Sequence, residues 1–369
     1  MSFQFLQKET RIDFIGLRRY AYLVSIIVFL IGAASIFMNG GLRYGVDFAG
    51  GAAVQLQFTN PVADEAIKTS FSSLNLPGLA VQQYGEDGRS YLVRFSTPDL
   101  SGEEIRTEIS AALRQEFGDN PASIERMEMV GPKVGADLRN AALQAMYIAV
   151  LLITVYISGR FEHRWVIAAI MAGILGGAMF LMGFTPLDMT LRVFVLLLIT
   201  AAICWKLKLN YALGAIVGLV HDVIITVGIL SLLGKEFDLN VIAALLTLVG
   251  YSLNDKIIVF DRIRENLGKQ RAGHLDPLTS IINVSVNQTL SRTIMTGLTT
   301  LLASVSLMVL GGGTIHDFAL TMTMGVFIGT YSSIFICNPV LLLGSTEQYI
   351  MAEKRSTEGY ERPGEHGIV

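Results

Sequence analysis

Runs of about twenty apolar residues, each long enough to cross the hydrocarbon core of a bilayer as helix, recur along this chain. In lipid such a run is helical, because its backbone N–H and C=O groups must be satisfied within the segment. Eight candidate spans follow: Tyr20–Met38, Ala141–Ser158, Trp165–Phe184, Met189–Trp205, Tyr211–Leu233, Leu239–Phe260, Thr293–Leu310 and Phe318–Leu343. Composition agrees: of 369 residues, 52% are hydrophobic and only 16% charged. A soluble domain carries about a quarter charged residues. The fourth span is the weakest, because Arg192 lies near its start and Lys206 closes it. The first run exceeds the core of about 7–15 residues in a signal peptide, and no clear small-residue cleavage site follows, so it reads as an uncleaved span.

Lys and Arg set orientation. Lys8, Arg11, Arg18 and Arg19 precede the first span, Arg160, Arg164, Lys206 and Lys208 flank later ones, and Arg262, Arg264, Lys269 and Arg271 follow the sixth. Lys354 and Arg355 follow the last. With eight spans all lie on one side, expected to be cytoplasmic and to hold both termini; six spans preserve the same sidedness. The opposite loops, Thr185–Asp188 and Lys235–Asp238, carry little positive charge.

The spans divide the chain into an N-terminal segment 1–19, a first span 20–38, an extramembrane domain 39–140, a bundle 141–343 and a tail 344–369. The polar stretch after the first span is too long for a structureless loop. Period-2 alternation predicts strands at Ala53–Thr59 and Ser90–Thr97, with further strands at Val81–Tyr84 and Ile124–Met129. Helices are expected at Ala63–Leu74 and Ser101–Phe117, the latter with Ser101 and Glu104 in a capping-box pattern. The order strand, helix, strand, strand, helix, strand is the ferredoxin-like α+β arrangement. Its acidic balance suits protein contact better than anionic lipid.

Ionisable side chains within spans are costly and usually face the bundle interior. His221 and Asp222 lie in the fifth span, Asn254 and Asp255 in the sixth, Lys256, Asp261, Arg262 and Arg264 follow toward its cytoplasmic end, and Arg292 opens the seventh. At a helical rise of about 1.5 Å per residue, Asp255 lies about 8 Å inside the cytoplasmic end of its span and Asp222 about 18 Å inside its own. Arg292 enters from the same side, at a depth compatible with Asp255. These groups read either as a proton relay or as fixed bonds between helices. His221 is read as a relay group or as a structural histidine. His316 and Asp317, beside Gly311–Gly313, belong to an outer vestibule or simply a loop. Gly173, Gly176 and Gly177, and the pair Gly214 and Gly218, are expected to allow close helix approach.

Cys204 and Cys337 read as buried apolar groups. No His/Cys cluster has metal spacing, no Gly-rich phosphate loop follows a strand, and no nucleophile and base pair up, so neither a cofactor nor an enzymatic activity is expected. A net charge of −3 gives no basic field for nucleic acid.

GYSLNDKIIVFDRIREN, Gly250–Asn266, resembles the signature of the SecF family of bacterial export proteins. GLRYGVDFAGG, Gly41–Gly51, with Asp47, Gly50 and Gly51, resembles the element after that family's first span, and GPKVGADLRNAALQA, Gly131–Ala145, the entry to its second. His221–Ser252 and Asn283–Ala303 also resemble it. The resemblance covers nearly the whole chain except 166–208. It implies membership of the resistance-nodulation-division superfamily of proton-coupled transporters, with six spans and a ferredoxin-like domain after the first. It also implies a SecD partner, an inner-membrane location and assistance to the SecYEG channel, often with YajC, in moving unfolded exported polypeptide. Proton coupling falls by resemblance on Asp255, beside Asn254, and on Arg292; Gly250, Asp261 and Arg262 belong to the same motif. The stretch 165–208 departs from the family as an extra two-span hairpin. Two other functions compete with an export subunit: a proton-coupled exporter of small molecules or lipids, and a passive scaffold of the translocon.

Overall fold

The computed structural model describes residues 10–72, 74, 76–83, 87–96, 102–269 and 276–343. Lys8, Tyr84, Thr97, Ser101, Arg271, His274, Lys354, Arg355, His366 and the tail 344–369 lie outside the described residues.

The elements run α1 (Phe14–Met38), α2 (Val46–Ala49), β1 (Gly51–Phe58), α3 (Asp64–Ser72), β2 (Ala80–Gln83), β3 (Ser90–Phe95), α4 (Gly102–Glu116) and β4 (Ala122–Val130). Then come α5 (Pro132–Glu162), α6 (Trp165–Met182), α7 (Met189–Lys206), α8 (Asn210–Leu232), α9 (Leu239–Gly268), α10 (Leu278–Leu310), α11 (Gly313–Phe335) and α12 (Cys337–Val340). Among the described residues, eight helical segments are long and apolar enough to cross a membrane; the last, Ile315–Leu343, combines α11, α12 and a closing 3-10 turn. All eight expected spans are present. Several helices overrun them: α1 begins at Phe14, α5 at Pro132 and α10 at Leu278, and α9 continues to Gly268. Hydropathy marks the part of a helix that meets lipid, whereas hydrogen bonding carries the helix on into water. The 33 residues of α10 make a rod of about 50 Å, longer than a hydrocarbon core of about 30 Å.

The last span breaks where Pro339 removes a backbone donor. Asn338 Nδ2 compensates, donating to Ser333 O at 2.8 Å and Ile334 O at 3.2 Å. The weakest span, α7, tolerates Arg192 because its guanidinium donates to Thr185 O at 2.9 Å, in the turn that precedes the helix.

The polar domain is a four-stranded antiparallel sheet in the order β2-β3-β1-β4, with a register shift at Gln55/Leu56. This is the arrangement predicted from the strand and helix order. Alternation turns Ala52, Val54, Leu56 and Phe58 inward with Tyr91 and Val93, onto Ile67 and Phe71 of α3 and Ile105, Ile109 and Leu113 of α4. The helices cover one face of the sheet. The other face, with Ala53, Gln55, Leu92 and Arg94, looks onto the bundle across a cleft of about 940 Å³.

Gly50 and Gly51 join α2 to β1 with φ of 78° and 126°, where a side chain is strained. Space demands glycine too: a Cβ on Gly50 would lie 2.7 Å from Pro132 Cα, and one on Gly51 would strike Phe95 O. The bundle end nearest the sheet is called here the domain face, and the opposite end, where α1 starts and α5 ends, the far face.

Small residues settle two helix contacts. A Cβ on Gly32 of α1 would lie 2.7 Å from Gly228 Cα of α8, and Ser35 and Ser231 hydroxyls bond beside it at 3.2 Å. Gly214 packs against Cys337, where a Cβ would lie 3.0 Å from its carbonyl oxygen. Gly173, Gly176 and Gly177 depart from expectation: a Cβ on any of them would meet nothing within 4 Å. They lie on the open side of α6, because α6 meets the bundle through Ala168, Met171, Leu175 and Met179 instead.

Candidate functional site

Asp222 and Lys256 form an ion pair at 2.8 Å with side chains 1% and 0% exposed. An ammonium taken out of water needs a partner for each of its three N–H groups. Lys256 Nζ finds Asp222 Oδ2, Ser252 Oγ and, at 3.1 Å, Ser332 Oγ. Ser252 hydroxyl in turn donates to Asp222 Oδ2 at 2.5 Å. Ser252 and Lys256 are four residues apart on α9, so they share one helix face. Gly218 of α8 leaves room for the lysine stem, since a Cβ there would collide with Lys256 Cε.

The other carboxylate oxygen, Asp222 Oδ1, lies 2.9 Å from His221 Nδ1. A carboxylate only accepts, so Nδ1 carries the proton. His221 Nε2 reaches Ser25 Oγ of α1 at 3.0 Å, and Ser25 reaches Tyr331 hydroxyl of α11 at 3.3 Å. Tyr331 donates to Ala21 O at 2.8 Å. One polar chain therefore ties α1, α8, α9 and α11 together, and both oxygens of Asp222 are engaged.

Asp255 differs. It is fully buried, and neither carboxylate oxygen has a hydrogen-bond partner among the described residues. Thr293 Oγ1 is also buried and unpartnered among the described residues. Such groups are rare, and each needs an explanation. The cations whose fields act on Asp255 are Lys256 and Arg292. Arg292 is exposed on α10, and among the described residues no ion pair joins it to Asp255. Asn254 is exposed on the next face of α9 and stays apart from both acids. Thus Asp222 is bonded to His221 and Lys256, whereas Asp255 is joined by no described bond to Arg292.

Asp47, Asp261 and Arg262 act at the ends of α9. Asp47 Oδ2 accepts from Leu239 N at 3.0 Å and Asp238 Oδ1 from Val241 N at 2.8 Å, so two carboxylates meet the positive end of that helix. Burial holds the Asp238 carboxyl above the usual carboxylate range, and the charge of Asp47 adds to this. At the far face Asp261 pairs with Arg160 of α5 at 2.9 Å, and Arg262 with Glu265 at 2.8 Å. Gly250 faces outward, with nothing near its Cβ position. His316 and Asp317 lie in the first turns of α11 rather than in a loop, and line the cleft with Lys235, which pairs with Asp317 at 2.7 Å. Among the described residues no three His, Cys, Asp or Glu side chains gather as a metal ion requires.

Sequence reasoning placed Lys256 on the way out of the membrane; the structure turns it inward. The available signal was its place four residues after Ser252 on the same helix. No sequence signal pointed to Ser25 or Tyr331.

The chain as a whole resembles known proteins. The family described as protein export membrane protein SecD/SecF, C-terminal, matches residues 109–191 and 188–347, and the SecD/SecF GG motif matches 35–62. The SecF translocase subunit of Desulfurispirillum indicum is 38% identical, over 90% of this chain and 91% of its own. That of Vibrio alginolyticus is 36% identical, over 97% and 98%. The crystal structure of SecDF, a translocon-associated membrane protein from Thermus thermophilus, matches with a TM-score of 0.64 at 34% identity, covering 90% of this chain. This chain spans 38% of that protein's length. With relatives of this identity matched nearly end to end and the export-family profile covering most of the bundle, the chain belongs to the SecF family of protein translocase subunits.

Proposed function

We propose that this chain works with a SecD partner in the bacterial inner membrane and uses the proton gradient to help unfolded polypeptide leave through the SecYEG channel, with YajC as a further companion. Both termini are cytoplasmic in this reading, and the ferredoxin-like domain is periplasmic. The observation that carries it is Asp255, buried on α9 with neither oxygen partnered among the described residues. Asp222 is a poor carrier by comparison, because lysine, serine and histidine hold both its oxygens.

An acid without bonds in a dry bundle needs its charge balanced. Asp255 has two means: a proton, or the Arg292 guanidinium drawn closer. Alternation between them couples proton passage to displacement of α9 against α10. Because Asp47 and Asp238 hold the opposite end of α9, such displacement reaches the domain face.

The test is translocation of a secreted precursor into inverted membrane vesicles, with and without a proton gradient. Asp255→Asn keeps the shape and loses the titration. It should abolish gradient-dependent stimulation while leaving insertion and SecD association intact. Arg292→Lys keeps the charge without the planar fork and should lose part of it. Full stimulation in Asp255→Asn would overturn the coupling role and leave a passive scaffold.

A further inference from the structure

The hairpin of α6 and α7, outside the stretches that carry the family motifs, creates an apolar groove of about 410 Å³. Ala202 and Trp205 of α7, Leu213 and Val217 of α8, and Val340 and Leu343 at the end of the last span line it. No charged side chain does. All these residues lie near the far face, where α7 ends and α8 begins.

The rim is basic. Lys206 is the last residue of α7 and Lys208 follows in a left-handed turn with φ of 58°. Both are exposed, and neither forms an ion pair with a described residue. Arg164 joins them, donating to Leu207 O at 2.9 Å at the negative end of α7. The carboxylate at this corner, Glu162, is turned to Tyr211 N at 2.9 Å, the start of α8. Trp205 is 64% exposed next to the lysines, the placement of an aromatic anchor at a membrane interface.

We infer that this groove binds one anionic phospholipid, an acyl chain lying against Ala202, Leu213 and Val217 and the phosphate held by Lys206, Lys208 and Arg164. Charge complementarity selects this occupant. An apolar floor that ends in a cluster of cations at the interface matches an amphiphile with an anionic head. A partner helix is a poorer match, because the groove is confined to the far-face end of α7, next to the basic turn in the chain.

The test uses the full chain in nanodiscs of phosphatidylcholine with a minor fraction of phosphatidylglycerol, and native mass spectrometry to read the lipids retained. Wild type should retain phosphatidylglycerol several-fold above its fraction in the disc. The Lys206→Gln/Lys208→Gln pair should keep a bound lipid but lose the enrichment. Ala202→Trp, which fills the groove, should lose the bound lipid altogether. Lys269→Gln, at a basic position of the same face away from the groove, should behave as wild type. Absence of enrichment in wild type, enrichment that survives the double substitution, or equal loss in Lys269→Gln would each overturn the site. Retention of lipid by Ala202→Trp would place the lipid elsewhere and overturn it too.

Discussion

Lys256 is the residue whose environment most exceeds what its position in the chain suggests. A lone lysine in an apolar helix ordinarily reaches for the interface, as long basic side chains do. Here every ammonium hydrogen has an acceptor inside the bundle. Removing one partner of a buried pair leaves an uncompensated charge, a loss of about 3–5 kcal/mol. Lys256→Met should therefore destabilise the bundle by that order in a reversible unfolding assay in mild detergent. Adding Asp222→Leu should recover most of the loss, because both charges are then gone. Equal instability of the single and double variants would mean that packing around the lysine stem, rather than charge, is what Lys256 supplies. The serines that complete the pair come from different helices, α9 and α11, so spacing within one segment can point to Ser252 but not to Ser332.

At the scale of the element, carboxylates repeatedly meet the first turn of a membrane helix. Asp13 accepts from Gly16 N at 2.8 Å before α1, Asp188 from Thr190 N at 2.9 Å before α7, and Glu162 from Tyr211 N at 2.9 Å at α8. Asp47 and Asp238 do the same for α9. Each satisfies an orphan donor and complements the helix dipole. The Gly16 N–H bond, aided by the Asn283 amide of α10, holds the Asp13 carboxyl below the usual carboxylate range. Its folded value is depressed, so its contribution is complete above the ordinary carboxylate value and is lost as pH falls through the lowered one. Amide exchange at Gly16 should accelerate, relative to its intrinsic rate, as pH drops through that window. Asp13→Ala should remove this pH dependence. An unchanged profile would show that Asn283, bonded to Ile15 N at 2.9 Å, holds the helix start unaided.

Across the whole molecule, the ferredoxin-like domain stands on the bundle through the segment around α2 and the start of α9. Gly45 N donates to Phe237 O at 2.9 Å and Phe237 N to Arg43 O at 2.8 Å, Arg94 pairs with Glu236, and Asp47 caps α9. The domain's own core draws on its sheet and on α3 and α4, with no residue from the bundle. Residues 51–135 expressed alone should therefore fold, with mixed α+β circular dichroism and a cooperative melting transition. A disordered spectrum would show that these contacts supply part of the folding energy.

Spans, their order and the strand–helix order of the domain were legible in the chain because each depends on a local rule. Lipid forces helix on an apolar run, and alternation with period 2 exposes one face of a strand. Asp222, Asp255 and Arg292 were legible as costly residues in lipid for the same reason. Their partners were not. Asp255 and Lys256 are adjacent in sequence, yet a step of one residue on a helix turns the side chain by about 100°. One faces Asp222 and the other remains unpartnered. Which neighbour stands at each angle depends on how the helices pack. That was decided by contacts such as Gly32 on Gly228 and the space left by Gly218, while the glycines of α6 met nothing. Depth along a helix follows from counting residues; the direction a side chain faces within the bundle follows only from the helices around it.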